Sequence, residues 1–333
     1  MKEVNKKQKK KDSIFLVMTG FSCNNNCIFC SNLSDRNLNK TTAEVKAEIR
    51  KGYQEGHEML EFIGGEVTIR ADFIELVSYA KKIGFKGIGL SSNGRLFSYP
   101  KFVQEAYQAG LNRIGISLYG HNKLIHQAST RTADSFDQSL AGIKNLAQIK
   151  DIALAVNTVI TKINYKALPE MASFLQDLGI KEWRLIEMLP DGFAKDNYNL
   201  LAVKYREVAL YIKKACLLGG KIKTIFIYDF PFCIFDKEIF SDSRIVFFTP
   251  RDRCEKVDQQ GYGDAQALRA TKTIKGDKIL YQDKYRIKLA SCQKCPHFYY
   301  CGGITKPYLE LFKGEKEIFD KQKVIDYVRK EAK

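Results

Sequence analysis

Residues 23–30 read CNNNCIFC, which places three cysteines in eight positions with the spacing Cys23-x3-Cys27-x2-Cys30. The stretch follows IFLVM (14–18), a short apolar run that reads as a first core strand. The cysteines therefore lie on a loop at the end of a strand. Free thiols at that density on an exposed loop are an oxidation hazard, so the pattern reads as ligation. Three thiolates on one loop can hold three corners of an iron–sulfur cubane and leave the fourth iron open. A four-ligand zinc site needs another donor, and between 31 and 60 only His57 is offered, at the wrong end of its helix.

Working outward, residues 14–190 alternate β-branched runs with helical apolar periodicity. The strands expected are 14–19, 59–63, 87–91, 113–118, 152–160 and 183–188, and the helices 42–55, 72–83, 101–109, 135–149 and 167–178. Several helices end on glycine just before the next strand, as in KKIGF, YQAGL and QDLGI. Six βα units spaced by roughly 30 residues predict a parallel sheet, open or rolled into a barrel. Function then gathers at the C-terminal strand ends.

After about residue 195 the rhythm changes. A helix near 201–218 precedes the strand-like KIKTIFIYD and loop-rich sequence. The segment 272–291 reads as a basic hairpin turning at Gly276-Asp277, and 315–331 as a closing amphipathic helix. The fold expected is α/β: a partial (β/α)6 TIM-like barrel over 13–195 with a small cysteine-rich α+β extension over 196–333. The basic first 12 residues are expected to be a disordered tail.

The 333-residue chain has 54 Lys plus Arg against 38 Asp plus Glu, a formal net charge of +16. That balance favours anionic partners, nucleic acid among them, although lysine-rich surfaces also serve solubility. No apolar run approaches the roughly 20 residues of a membrane helix, and no signal peptide is recognisable, so the expected location is the cytoplasm. There, nine cysteines point to metal ligation rather than disulfides.

At this point the chain resembles the radical S-adenosylmethionine (SAM) superfamily, whose hallmark C-x3-C-x-aromatic-C is matched by Cys23, Cys27, Phe29 and Cys30. The resemblance implies a [4Fe–4S] cluster on these cysteines, with SAM chelated at its open iron. It also implies one-electron cleavage of SAM to a 5′-deoxyadenosyl radical that takes hydrogen from substrate. GGEVT (64–68) resembles the superfamily's GGEP segment, making Gly64, Gly65 and Glu66 SAM-site candidates, with Val67 in place of proline. SSNG (91–94) resembles its T-N-G segment and implies roles for Ser92 and Asn93. Ser117 in GISLYG, Asn157 and Thr158 on the fifth strand, and Leu189 to Gly192 after the sixth fall where members contact SAM. Arg131, in STRTADSF, resembles a carboxylate-pairing position.

CQKCPHFYYCGG (292–303) gives Cys292-x2-Cys295-x5-Cys301, which resembles the SPASM or twitch extensions that carry an auxiliary [4Fe–4S] cluster. Three cysteines leave a fourth place, for which Cys233 in DFPFC and Cys254 in RDRC compete. Cys233 is preferred, which leaves Cys254 as an open-site ligand or a substrate-facing thiol. Four cysteines with a C-x2-C knuckle would also make a structural zinc site. Cys216 reads as core. His121, His126, His297, Trp183, Tyr119, Tyr299 and Tyr300 are each explained by packing, caps or polar lids as readily as by chemistry.

Enzymes of this build often modify ribosomally made peptides by crosslinking, thioether formation or epimerisation, so a peptide substrate is expected first. The partners would be a reductant such as flavodoxin or ferredoxin and, with no winged-helix recognition domain ahead of the barrel, a separate peptide-recognition protein. The alternatives are a sugar or molybdopterin-precursor substrate, an RNA substrate, or a non-enzymatic zinc-bound nucleic-acid-binding protein. The missing C-terminal double glycine speaks against the molybdopterin type.

Overall fold

The computed structural model describes residues 13–32, 36–260, 270–275 and 278–313, with backbone alone at 254–255, 257–260, 270–275 and 278–282. The expected basic tail, the hairpin's turn residues and the closing helix fall outside the described residues.

Eight parallel strands run in sequence order: β1 Ile14–Met18, β2 Met59–Ile63, β3 Gly87–Ser92, β4 Arg113–Ser117, β5 Ala153–Ile160, β6 Glu182–Glu187, β7 Thr224–Tyr228 and β8 Ile245–Phe248. A ninth, β9 Val257–Gln260, pairs parallel with β1 at the other edge. The expected partial barrel is therefore present as β1–β6. The sheet does not stop at residue 195, because β7 joins β6 in register Glu182↔Thr224 and β8 follows.

Helices cover one face: α1 Thr42–Gln54, α2 Phe73–Ile83, α3 Pro100–Ala109, α4 Lys123–Thr130, α5 Ser135–Ala147 and α6 Leu168–Asp177. Their starts and stops are chemically marked. Thr41 and Glu44 form a reciprocal capping box on α1. Pro100 opens α3, and Gly84 and Gly110 close α2 and α3 in the left-handed region. Helix α4 was not expected; Asn122 caps it by accepting from the Ile125 N–H at 3.0 Å.

Strand alternation sorts the side chains. Phe15, Val17, Leu60, Phe62, Ile88, Leu90, Ile114, Ile116, Val156, Trp183 and Leu185 are buried in the main core. The intervening residues line the sheet's other, concave face. That face is unusually polar, with Glu61, Asn157 and Arg184; the Ser91 hydroxyl donates to Glu61 at 2.7 Å. Beyond the barrel, α7 Tyr205–Leu218 packs against α6. The expected hairpin exists as antiparallel β10 Ala270–Lys275 and β11 Lys278–Asp283. A short ribbon pairs β12 Arg286–Ile287 with β13 Ile304–Thr305.

Candidate active site

A cavity of ≈ 260 Å³ opens at the C-terminal ends of the strands. Ile63, Ser91, Ser117, Val159 and Ile186 line it, one from each of β2 to β6 and all from the concave alternation. Cys23, Cys27, Phe29 and Cys30 close it from the β1 side, together with Gly64, Gly65 and Glu66. Three thiols thus share one hollow with the strand ends where chemistry concentrates in such sheets.

The cysteine loop is extended chain whose carbonyls need donors. Arginines supply them. Arg36 donates to the carbonyls of Cys23 (3.1 Å) and Asn25, and Arg95 donates to the Asn24 carbonyl and to Asn25 Oδ1. Arg131 donates from Nε to the Asn26 carbonyl at 3.1 Å. The planar guanidinium suits this clasping of several acceptors at once. On the sulfur side, the Asn25 N–H donates to Cys23 Sγ at 3.4 Å. Burial pushes the Cys23 and Cys27 thiols above their ordinary range, and their neighbouring sulfurs add to the shift.

Gly65 explains how the GGE loop reaches the cysteines. A Cβ there would stand 2.0 Å from the Ser22 carbonyl and 2.5 Å from that of Phe21. At Gly64 a Cβ would meet the Gly20 carbonyl at 2.3 Å, and its φ of +149° also favours glycine. The two loops are stitched by Gly65 N–H to the Gly20 carbonyl (2.8 Å) and Glu66 N–H to the Ser22 carbonyl (2.7 Å). The glycines thus permit backbone against backbone.

Glu66 is buried and fully employed. Its carboxylate accepts from the Thr68 N–H (3.2 Å) and hydroxyl (2.6 Å), the Ser92 hydroxyl (2.8 Å) and the Asn93 N–H (2.6 Å). Burial raises its pKa while these four donors pull the other way. Ser92 also accepts from the Gly94 N–H, and the Asn93 amide donates to Asn24 Oδ1 at 2.6 Å. Glu66, Ser92 and Asn93 therefore join the β2 and β3 ends to the cysteine loop, and their polar atoms are spent on that scaffold.

The other candidates divide. Ser117 and Leu189 line the cavity. Asn157 sits one alternation deeper on β5, buried, with Oδ1 unpartnered. Thr158 is structural, accepting from Trp183 Nε1 and donating to the Leu118 carbonyl. Arg131 does not reach the cavity; it caps α4 with a left-handed backbone and holds the loop from outside. The side chain of Cys254 lies outside the described residues.

Asn32, Arg36 and Glu187, none of them anticipated, also line the cavity, as does Tyr119, whose sequence context allowed packing or chemistry. Asn32 donates to the Gly64 carbonyl at 2.5 Å. Tyr119 sets its ring edge-on to Phe29 at 4.7 Å and stacks on His126 at 5.6 Å. Glu187 is buried at the end of β6, accepting from the Tyr205 hydroxyl and from Arg286 of the extension. Only its place at a strand end could have marked it.

A second set of thiols gathers in the extension. Cys233, Cys292, Cys295 and Cys301 line one small cavity of ≈ 30 Å³ with Pro231, Phe232, Lys288 and Phe298. Burial raises the Cys233 thiol, and the three other sulfurs raise it further. The Gly303 N–H donates to Cys301 Sγ at 3.4 Å, repeating the i+2 contact at Cys23. Phe232 and Phe240 flank His297, with ring centroids 4.7 and 5.8 Å away. Among the described residues no group of three or more His, Cys, Asp or Glu side chains is gathered to hold a single ion. Nor, among them, is any helix long and apolar enough to cross a membrane.

Comparison with known proteins agrees with this geometry. The curated "Probable GTP 3',8-cyclase" of Sulfurisphaera tokodaii is 28% identical over 178 residues, 53% of this chain and 56% of that protein. The protein of the same name from Saccharolobus islandicus is 29% identical over 200 residues, 58% of this chain and 62% of its own length. The chain thus spans less than two thirds of the length of these curated relatives. Among solved structures, Streptococcus suis SuiB bound to S-adenosylmethionine matches with a TM-score of 0.60 at 16% identity, covering 97% of this chain and 80% of SuiB. That likeness is one of fold and includes the extension. The sequence model of the Radical SAM superfamily matches residues 17–175, the stretch from β1 into α6.

Proposed function

We propose that the chain is a radical SAM enzyme acting on a peptide, with Cys23, Cys27 and Cys30 holding a [4Fe–4S] cluster and SAM in the adjoining cavity. The observation that carries this reading is the shared hollow: three thiols facing the C-terminal ends of β2–β6. The donor set fits, since three thiols beside open space leave room for a chelating ligand at a fourth iron. Once bound, cluster and SAM would supply one-electron cleavage to methionine and a 5′-deoxyadenosyl radical.

The chain's own residues do the rest. Arg36, Arg95 and Arg131 hold the cysteine loop rigid, and Glu66 keeps the β2 and β3 ends against it. Val159, Ile186 and Leu189 offer an apolar wall, while Ser117 offers a hydroxyl beside it. Such a half-open hollow, walled in part by apolar side chains, limits the water around a reactive species.

The second set, Cys233, Cys292, Cys295 and Cys301, fits a closed four-thiol cluster, and Cys233 takes the place left open between it and Cys254. A cluster is preferred to zinc on the resemblance of Cys292-x2-Cys295-x5-Cys301 to cluster-bearing extensions. The peptide assignment draws on the fold likeness across 96% of the chain to SuiB, also solved bound to precursor peptide SuiA. A second reading, a nucleotide substrate, is favoured by the name of the curated relatives. Either reading requires a one-electron donor such as flavodoxin or ferredoxin.

The test is iron and sulfide content after anaerobic reconstitution, followed by 5′-deoxyadenosine release with a chemical reductant. About eight irons per chain and SAM cleavage are expected. About four would remove the second cluster. Zinc alone, with no cleavage, would overturn the whole reading.

A further inference from the structure

Beside the four-thiol set lies a larger hollow of ≈ 490 Å³. Lys288 and Phe298 form the wall common to both. Its other lining includes Arg286, Ile287, Leu289 and Lys306, and no carboxylate. The strip Arg286-Ile287-Lys288-Leu289 alternates cation and apolar side chain.

The charges are unequal in availability. Arg286 is buried and balanced, with Nη2 on Glu187 and Nη1 3.1 Å from Asp283 Oδ2, so it serves as a fixed inner wall. Lys288 is half-buried, donates to the Phe298 carbonyl and lies 4.5 Å over the Phe298 ring. Lys306 is exposed and makes no ion pair with a described residue. Ile287, 44% exposed, puts bare apolar surface on the same rim.

We infer that this hollow binds an acidic segment of the substrate peptide, with carboxylates toward Lys306 and Lys288 and apolar side chains against Ile287 and Leu289. The inference rests on the peptide reading above and deepens it by naming the substrate's chemistry. Alternating cation and apolar positions suit an extended chain, which presents side chains at a two-residue period. A compact polyphosphate would instead call for a run of glycine backbone N–H groups. Here only Gly302 and Gly303 are near, and the Gly303 N–H already serves Cys301 Sγ. Docking at this hollow would lay the peptide against the four-thiol site.

The experiment uses the reconstituted full chain and a fluorescent peptide of alternating Glu and Leu, read by anisotropy at two salt concentrations. The variants are Lys306→Glu and Ile287→Ser, with Lys101→Met on the distant α3 as control and GTP as competitor. We expect salt-sensitive binding that Lys306→Glu weakens about tenfold and Ile287→Ser severalfold, with SAM binding and thermal melting unchanged. Equal binding by wild type and both variants would overturn the hollow while leaving the peptide reading intact. No peptide binding with tight GTP binding would overturn the peptide reading itself. GTP displacing bound peptide, and itself weakened by Lys306→Glu, would reassign the hollow to phosphate.

Discussion

The two thiol sets are built from opposite materials. The first loop is held by polar stitching: three arginines, Glu66 with four donors, and glycines that bring backbone onto backbone. The second is packed among rings, Phe232, Phe240, Phe247 and His297. The first offers three sulfurs and ≈ 260 Å³ of space, the second four sulfurs around ≈ 30 Å³. Open space beside an incomplete donor set invites an exchangeable ligand. A complete set in a tight apolar niche favours a permanent one.

That contrast breaks most sharply at the cysteines themselves. Cys27→Ala should abolish 5′-deoxyadenosine release, measured by chromatography, while about four irons remain at the second set. The double variant Cys295→Ala/Cys301→Ala should do the reverse, halving iron content yet keeping SAM cleavage. Loss of cleavage in the second variant would mean that the two sets are not separable.

Gly65→Ala probes the stitching. Its Cβ would lie 2.0 Å from a backbone oxygen that has no room to yield, so the loops must part. A destabilisation of about 3 kcal/mol or more is expected in denaturant unfolding. Glu66→Gln replaces an acceptor with a donor facing the Asn93 N–H or the hydroxyls. It should cost about 2–4 kcal/mol and weaken SAM binding by calorimetry, because Glu66 lines the cavity and holds the donors that fix its wall.

The last prediction concerns the wall behind Tyr119. His126 is fully buried, its Nδ1 accepting from the Tyr119 N–H, and burial lowers its pKa to about 4. The folded chain thus binds this proton less readily than the unfolded one, whose value is near 6.5. Stability present above pH 6.5 should be lost as pH falls toward 4, by about 3 kcal/mol, then level off. Unfolding of His126→Gln against wild type across that range checks it: the variant's curve should be flatter.

Much of this was legible along the chain. Strand and helix periods, glycine stops and the capping box are local, so β1–β6 and five of the six helices against them were placed within a residue or two of their bounds. The cysteine triad and the GGE and SNG segments also announced themselves, because each is a contiguous pattern. Helix α4 escaped notice because only Asn122 marks its start and its apolar face is slight: Leu124 is exposed, while His126, Ser129 and Thr130 are buried.

What the sequence by itself determined was the chemistry available: three thiols after a first strand, three more near the end, and a parallel sheet to carry them. Only the tertiary structure brought Cys233 to Cys292, Cys295 and Cys301 across some sixty residues. It alone showed that Glu66, Ser92 and Asn93 line the cavity with their polar atoms tied to one another and to the cysteine loop, while Ser117 and Leu189 line it without those ties. The physical reason is that a motif fixes residue types by local chain geometry. Whether a given polar atom is spent or available depends on donors and acceptors that arrive from distant strands, such as the Arg286 guanidinium on Glu187.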